Sequence, residues 1–246
     1  WSSCRCRYFR TTGTEGLTLG GEPSSDRKVP VPKMRPHNRG PIARTIDRFL
    51  FVVLKYLSKS RSRGSLLLVA YTDEQLDRID ESLGLIERVQ PIRFRQIVRD
   101  LRCVWVRGLS GKRGEYNHTV RACSIAESAF EGHYNRPEEI ALIIIHEATH
   151  ARLTRLGIGY DEAIRSRVEE ICHRRELSFA KLLGDDQAIY VAGYYLANPV
   201  DYSDEAMDSR SEAAILADAR DIGFPLWIVR YVFRAKRRRD QRLRRG

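Results

Sequence analysis

The chain has 246 residues, of which 42% are hydrophobic, and a formal net charge of +11 at pH 7. This length allows one large domain or two small ones, and the composition suits an ordinary soluble core. The longest apolar runs, at 49–54, 65–70 and 140–145, fall far short of the roughly 18 to 20 apolar residues that a membrane-spanning helix needs.

The basic charge is concentrated at the two ends. Residues 1–65 hold 14 Lys and Arg against 4 Asp and Glu, residues 230–246 hold 9 against 1, and residues 66–229 are acidic overall. A nucleic-acid-binding domain more often spreads its basic residues over one folded face. We therefore interpret the basic ends as solubilising tails or as points of weak contact with an anionic membrane surface or nucleic acid.

The five cysteines are an odd, sparse set, which favours reduced cytoplasmic thiols over a disulfide framework. Cys4 and Cys6 lack a second ligand pair at a familiar metal-binding spacing. The first residues contain no pattern typical of a secretory signal. The sequence thus predicts a cytoplasmic protein, with a location at the membrane surface as the alternative.

The N-terminal part is predicted to differ from the body of the chain. Residues 1–41 are rich in Gly, Pro, Ser, Thr and Arg and predict a disordered basic segment. Residues 42–58 predict a helix, either in the core or at a membrane surface. We expect the folded domain to span 42–229 and to continue into a basic helical tail at 230–246.

The next part predicts a helix followed by strands. Thr72 and Gln75 have the spacing of a capping box. Apolar residues then recur at helical spacing, at Leu76, Ile79, Leu83 and Ile86. Residues 102–108 and 115–126 predict two strands around a turn at 110–114, and a hairpin is the simplest arrangement.

Helices are predicted from Pro137 onward. The first has Pro137 in its opening turn and ends near Gly157, and the second covers about 161–183 and ends near Gly184. Further helices are predicted over 187–197 and 209–219, with 198–209 as a loop between them, and a last one follows Pro225. The predicted fold class is α+β, mainly helical, with a small antiparallel sheet.

The stretch HEATH at 146–150 contains the spacing of a metal site. Residues four apart share one face of a helix, so His146 and His150 are expected to point the same way and to share one Zn²⁺. Glu147 lies about 100° round the helix, within reach of a metal-bound water that it could deprotonate for attack on a carbonyl carbon. The alternative is a pair of hydrogen-bonded core histidines.

A catalytic zinc needs a third protein ligand, and the next helix offers several. Glu169 and Glu176 lie at the edge of its apolar face, whereas Glu170 points away and is expected to be solvated. We predict Glu169 as the third ligand. Glu176 and His173 are the alternatives, as ligands or as groups that orient a ligand histidine. Ordinary surface salt bridges are the competing interpretation for the glutamates.

The motif and its setting resemble the zincin metallopeptidases. Leu153 and Leu156 stand where the metzincin branch has Gly and His, so that branch is excluded. A glutamate 19 residues past the second histidine resembles the gluzincin arrangement. The resemblance implies zinc on His146, His150 and Glu169, Glu147 as the catalytic base, and a substrate-pairing strand above the helix, expected within 115–126.

Two points remain open in this comparison. The zincin pattern prefers an apolar residue where this chain has Arg152. An oxyanion-stabilising side chain is also expected, and the sequence does not choose among Tyr160, His173, Tyr190, Tyr194 and Tyr195.

The predicted function is a zinc-dependent metallohydrolase, with a peptidase acting on a peptide or protein substrate as the leading interpretation. The alternative is a non-catalytic, zinc-stabilised protein that binds anionic partners through its basic ends. A closed shell of four protein ligands including Cys172 or His173 would favour that alternative.

Overall fold

The structure, a computed structural model, describes residues 58–132 and 135–245. The predicted disordered segment 1–41 and helix 42–58 lie outside these residues, except for Ser58. The described part is α+β, with seven α-helices and one five-stranded sheet. Among these residues, no helix has the length and the apolar character needed to span a membrane.

The strands are β1 (Lys59–Arg63), β2 (Leu66–Ala70), β3 (Cys103–Arg107), β4 (Gly114–Asn117) and β5 (Ala122–Ala126). They lie in the order β1-β2-β3-β5-β4. The β1–β2 and β4–β5 pairs are antiparallel, and the β2–β3 and β3–β5 pairs are parallel. The sheet is therefore mixed, where the sequence predicted an antiparallel one.

The predicted hairpin between 102–108 and 115–126 is wrong. The second segment is itself a hairpin, β4–β5, with a turn in which the Asn117 side chain accepts bonds from the Thr119 and Val120 amides. Arg121 completes the turn with a positive φ of 54°. This Asx-type turn interrupts the partial alternation of apolar and polar residues within 115–126. Because the chain reverses direction at the turn, β5 runs parallel to β3.

The helices are α1 (Asp73–Val89), α2 (Pro91–Asp100), α3 (Pro137–Arg155), α4 (Glu162–Leu183), α5 (Asp186–Ala197), α6 (Asp204–Asp221) and α7 (Leu226–Arg245). The capping box of Thr72 and Gln75 is present at the start of α1. Helix α2 and the strands β1 and β2 were not predicted. Helix α6 begins five residues before the predicted 209, inside the predicted loop, because the Ser203 side chain caps it.

The core lies between one face of the sheet and the helices. Alternate residues of β2, β3 and β5, such as Leu68, Val104 and Ile125, point to this face and are fully buried. They join α1 and α3 in one apolar cluster. Helix α3 is buried on most sides, as predicted, so the side chains of its motif are enclosed by other elements.

Candidate metal centre

Helix α3 positions the three residues of the motif. Pro137 occupies its first turn, Glu138 and Glu139 follow where the helix dipole favours acidic groups, and Gly157 lies just past its end with a φ of 81°. His146 and His150 lie one turn apart with ring centroids 4.9 Å apart. Their Nε2 atoms are 3.1 Å from each other, so both rings present the same nitrogen to one point.

Glu169 of α4 lies at that same point. Its Oε2 is 3.2 Å from His146 Nε2, and its Oε1 is 3.4 Å from His150 Nε2. A tetrahedral zinc with bonds of about 2.0–2.1 Å requires neighbouring ligand atoms roughly 3.3 Å apart. The two distances to Glu169 involve its two different oxygens, so the three predicted side chains lie together at spacings near those of a tetrahedral site.

The neighbouring glutamates of α4 behave as helical phase predicted. Glu169 is buried, whereas the side chain of Glu170 is 48% exposed and pairs with Arg174 four residues on. Glu176 and His173 are buried on the same side as Glu169. The i, i+3, i+4, i+7 pattern thus gathers the chemically active residues of α4 on one stripe.

Glu176 holds two histidines in place. Its Oε1 is 2.5 Å from His146 Nδ1, and its Oε2 is 3.0 Å from His173 Nδ1. Because the Glu176 carboxylate bonds to Nδ1 of His146, Nε2 of this ring is left to bind a metal. Histidines that ligate metals commonly have their other ring nitrogen bonded to a carboxylate in this way. Glu176 thus occupies the orienting position that the sequence offered as one of its two roles.

Two more side chains border the ligand triangle. The Tyr160 hydroxyl donates a hydrogen bond to Glu169 Oε1. Cys172, which is fully buried, has its Sγ 3.6 Å from His150 Nε2. The potential ligand atoms form two overlapping sets that could hold a metal ion, one of His146, His150 and Cys172 and one of His146, Glu169 and His173, and each set contains only two of the three predicted ligands.

The carboxylate of Glu147 lies under the start of strand β4. A Cβ atom at Gly114 would stand 2.7 Å from Glu147 Oε1 and 2.7 Å from Ile143 Cγ2, closer than packed atoms approach. Only glycine leaves room for this carboxylate. The ion pair of Arg113 with Glu139, at 3.0 Å, fixes β4 against the first turn of α3.

Mutual interactions shift the pKa values of the central groups. Burial opposes the charged form of His146, but the Glu176 carboxylate and bonds from Glu169 and Glu176 outweigh it and raise its pKa well above the ordinary value. Burial would raise the pKa of Glu169, yet bonding to His146 and the charge of the histidines lower it to about 2. For Glu176, likewise, the His146 charge overcomes burial and lowers the pKa to about 2.

The other two motif residues shift in the opposite sense. Burial, together with the charge of His146, lowers the pKa of His150 to about 4. Burial raises the pKa of Glu147 to about 7. The charge of His146 acts to lower this pKa, whereas the charges of Glu169 and Glu176 act to raise it. A carboxylate with a pKa close to neutrality is well matched to taking up a proton at neutral pH.

The residue that departs from the zincin pattern has a structural partner. Arg152 and Arg155 lie on the far side of α3 from the histidines, and their guanidinium groups are 3.8 Å and 2.9 Å from the carboxylate of Asp100. The Asp100 side chain is only 1% exposed, and Arg99 also pairs with it. Arg152 therefore belongs to an ion cluster and lies away from the ligand triangle.

The tyrosines proposed for oxyanion stabilisation occupy different places. Tyr160 contacts Glu169, Tyr195 stacks on His173 at 5.0 Å between centroids, Tyr194 packs on Tyr195, and Tyr190 is 71% exposed. Sequence reasoning missed Tyr202, whose pKa is raised to about 12 by burial and by the charge of Glu169. It lies in the loop before α6, held by an Arg165 guanidinium that donates to its carbonyl at 2.6 Å.

The centre is enclosed rather than open. The side chains of both histidines are 14% exposed, and that of Glu169 is 8% exposed. Comparison of the chain with family models, with curated proteins and with solved structures gave no significant match, so the case for a metal site rests on this geometry.

Proposed function

We propose that this chain is a zinc-dependent metallohydrolase with His146, His150 and Glu169 as ligands. The observation that carries the proposal is the ligand triangle, with mutual spacings of 3.1 to 3.4 Å and Glu147 beside it. Two imidazoles and a carboxylate are donors that zinc accepts, and three protein ligands leave a fourth position for a reactant. The ligand order resembles that of the gluzincins.

A zinc ion held by these residues supplies Lewis acidity toward a carbonyl group and makes water easier to deprotonate. Glu147 would take the proton from the attacking water, because its buried carboxylate belongs to the same charged cluster and follows His146 in the helix. Glu176 orients His146 through Nδ1, and the Tyr160 hydroxyl holds Glu169. Two of the proposed ligands thus have a partner that fixes their direction.

The position of β4 favours a peptide as the substrate. Within the described sheet, β4 is an edge strand that pairs only with β5, and it lies against α3 with its first residue on Glu147. An extended peptide can add to a free edge through backbone hydrogen bonds. A peptide aligned in this way would carry its carbonyl groups past Glu147, which supports a peptidase.

Two variants test this function. Glu147→Gln should retain stoichiometric zinc and lose about 10²- to 10⁴-fold in hydrolysis of fluorogenic peptides, because it removes the base and spares the ligands. Glu170→Gln, a change to an exposed glutamate, is the matched control. Full turnover by Glu147→Gln, or purified protein without zinc, would contradict the proposal.

Two observations favour a second candidate, a closed and non-catalytic metal site. Cys172 lies 3.6 Å from His150 Nε2, and the ligand residues are almost completely covered. A thiolate completing the shell would leave no position for a substrate. Burial raises the pKa of the Cys172 thiol, but a metal ion would itself displace the proton of a coordinating thiol, so this shift favours neither candidate.

Cobalt substitution separates the two candidates. In the hydrolase the cobalt protein should show no thiolate charge-transfer absorption, and Cys172→Ser should leave its spectrum unchanged. A thiolate band that disappears in Cys172→Ser would establish the closed shell. His173→Ala tests the alternative ligand of α4, because His173 is held by Glu176 and belongs to one of the two possible ligand sets; a changed d–d spectrum would include it in the shell.

Helix α7 supports the partner proposed for this second candidate. Trp227, Tyr231, Arg234 and Arg238 follow i, i+4, i+7 and i+11 and are all exposed. Aromatic residues flanked by arginines on one helical face suit an anionic membrane surface better than a solvated tail. Sedimentation with anionic vesicles, but not with zwitterionic ones, is the expected result, and Trp227→Ala should weaken it; binding to nucleic acid alone would contradict it.

A further inference from the structure

Three arginines surround a pocket on the side of α3 that faces away from the histidines. Arg93 of α2, Arg152 of α3 and Arg175 of α4 all line it. It is an open surface groove with a volume of about 490 Å³. Its other lining residues come from the end of α1 and from α2, and are Val89, Gln90, Pro91, Ile92 and Gln96.

Two arginines of this pocket have no carboxylate partner among the described residues, and the third, Arg152, has only a distant one. Among the described residues, no carboxylate lies within 4.0 Å of Arg93 or Arg175; Arg93 donates to the Arg175 carbonyl at 3.0 Å. Arg152 is 3.8 Å from Asp100, beyond hydrogen-bonding distance, and its buried Nη1 has no hydrogen-bond partner. Arg63, by contrast, is paired with both Asp80 and Glu87.

The three positive charges also repel one another. Burial and the charge of Arg175 lower the pKa of Arg93 to about 10. Burial and the charge of Arg152 likewise lower the pKa of Arg175. The single carboxylate nearby, Asp100, is already shared with Arg99 and Arg155. A partly buried group of like charges with a free donor is unfavourable unless an anion completes it.

We propose that this pocket binds a small phosphate monoester. A guanidinium group presents two parallel donors that match phosphoryl oxygens, and several such groups suit a dianion. Val89, Pro91 and Ile92 provide an apolar wall for the carbon part of the ligand. The site is distinct from the metal centre, because Arg152 lies about 120° round α3 from His146 and the histidines line no part of the pocket.

The proposal is tested by calorimetric titration of the full chain at constant ionic strength. Inorganic phosphate should bind saturably, and phenyl phosphate should bind more tightly because it also contacts the apolar wall. Arg93→Gln should weaken both by at least tenfold. Arg95→Gln is the matched control, since Arg95 is an exposed arginine on the same helix that does not line the pocket.

Further variants keep the test decisive. If Arg93→Gln fails to fold, Arg175→Lys replaces it, because this change keeps the charge and removes the paired donors, and it should also weaken binding about tenfold. His146→Ala should bind phosphate as the unaltered chain does. Equal binding by the Arg93 and Arg95 variants, no saturation, or loss of binding in His146→Ala would overturn the proposal.

Discussion

Helix α3 contributes to two buried charged clusters that are built in opposite ways. On one side, Arg152 and Arg155 approach the buried carboxylate of Asp100. On the other side, His146 and His150 approach the carboxylates of α4. The first cluster has one carboxylate among several arginines, and the second has an excess of carboxylates over permanent cations.

The difference indicates which cluster responds to its surroundings. A guanidinium group stays protonated at any physiological pH, so the charge of Asp100 is always balanced. Among the described residues, Glu169 and Glu176 form ion pairs with histidines alone, so a proton or a metal ion is what balances their charge there. Buried carboxylates need such a counterion, so this cluster is the one suited to take up a cation.

The largest expected effect comes from the metal. Zinc at about 1,000 times its Kd should raise the free energy of unfolding by about 4 kcal/mol. His146→Ala should abolish this increment, because it removes one ligand and the partner of Glu176. Urea unfolding in zinc and in a chelator measures this increment. If His146→Ala showed the same increment as the unaltered chain, His146 would not be a zinc ligand.

A smaller effect is expected at the opposite cluster. Asp100→Asn should reduce the free energy of unfolding by about 2–3 kcal/mol, at the low end for a broken buried pair, because the arginines can turn toward solvent. The zinc-dependent increment should survive in full. Urea titration with and without zinc tests both statements, and loss of zinc binding would show that the two clusters are coupled.

Glu176→Gln should weaken zinc binding by about 10- to 100-fold. The amide keeps the size of the side chain but is a poorer partner for His146 Nδ1. Competition with a chromophoric chelator measures the affinity. Glu170→Gln is the matched control on the same helix, and equal affinities for the two variants would remove Glu176 from its orienting role.

The smallest expected change is for Tyr160→Phe. Removing the Tyr160 hydroxyl removes one hydrogen bond to Glu169 and leaves all proposed ligands in place. The affinity for zinc should therefore fall by at most about tenfold. The same competition assay applies, with Tyr190→Phe, at an exposed tyrosine, as the control. A larger fall than that of Glu176→Gln would mean that Tyr160 positions the ligands more strongly than the carboxylate does.

The residues of the candidate site that sequence could predict belong to single helices. A period of 3.6 residues decides which side chains share a face, and this separated Glu169 from Glu170 and grouped His173 and Glu176 with it. The capping box at Thr72 is similarly local. Such features depend on residues only a few positions apart in the chain, so they can be predicted from the sequence alone.

Contacts between distant segments could not be predicted in this way. The approach of Gly114 to Glu147 depends on β4 lying beside α3, and the pairing of β3 with β5 depends on how the sheet assembles. Asp100 joins Arg152 across 52 residues, and the loop before α6 brings Tyr202 close enough for the charge of Glu169 to act on it. Hydrophobic periodicity does not specify which elements become neighbours.

The apolar cluster beneath the ligand triangle has a consequence for the rate of metal exchange. Leu153, Val168 and Cys172 pack α3 and α4 together independently of any ion. The rotamers and the separation of the ligands are therefore fixed in advance, so binding needs little ordering of the chain. We expect the metal-free protein to stay folded, and zinc to enter and leave without global unfolding, unlike in small domains that fold only around their ion.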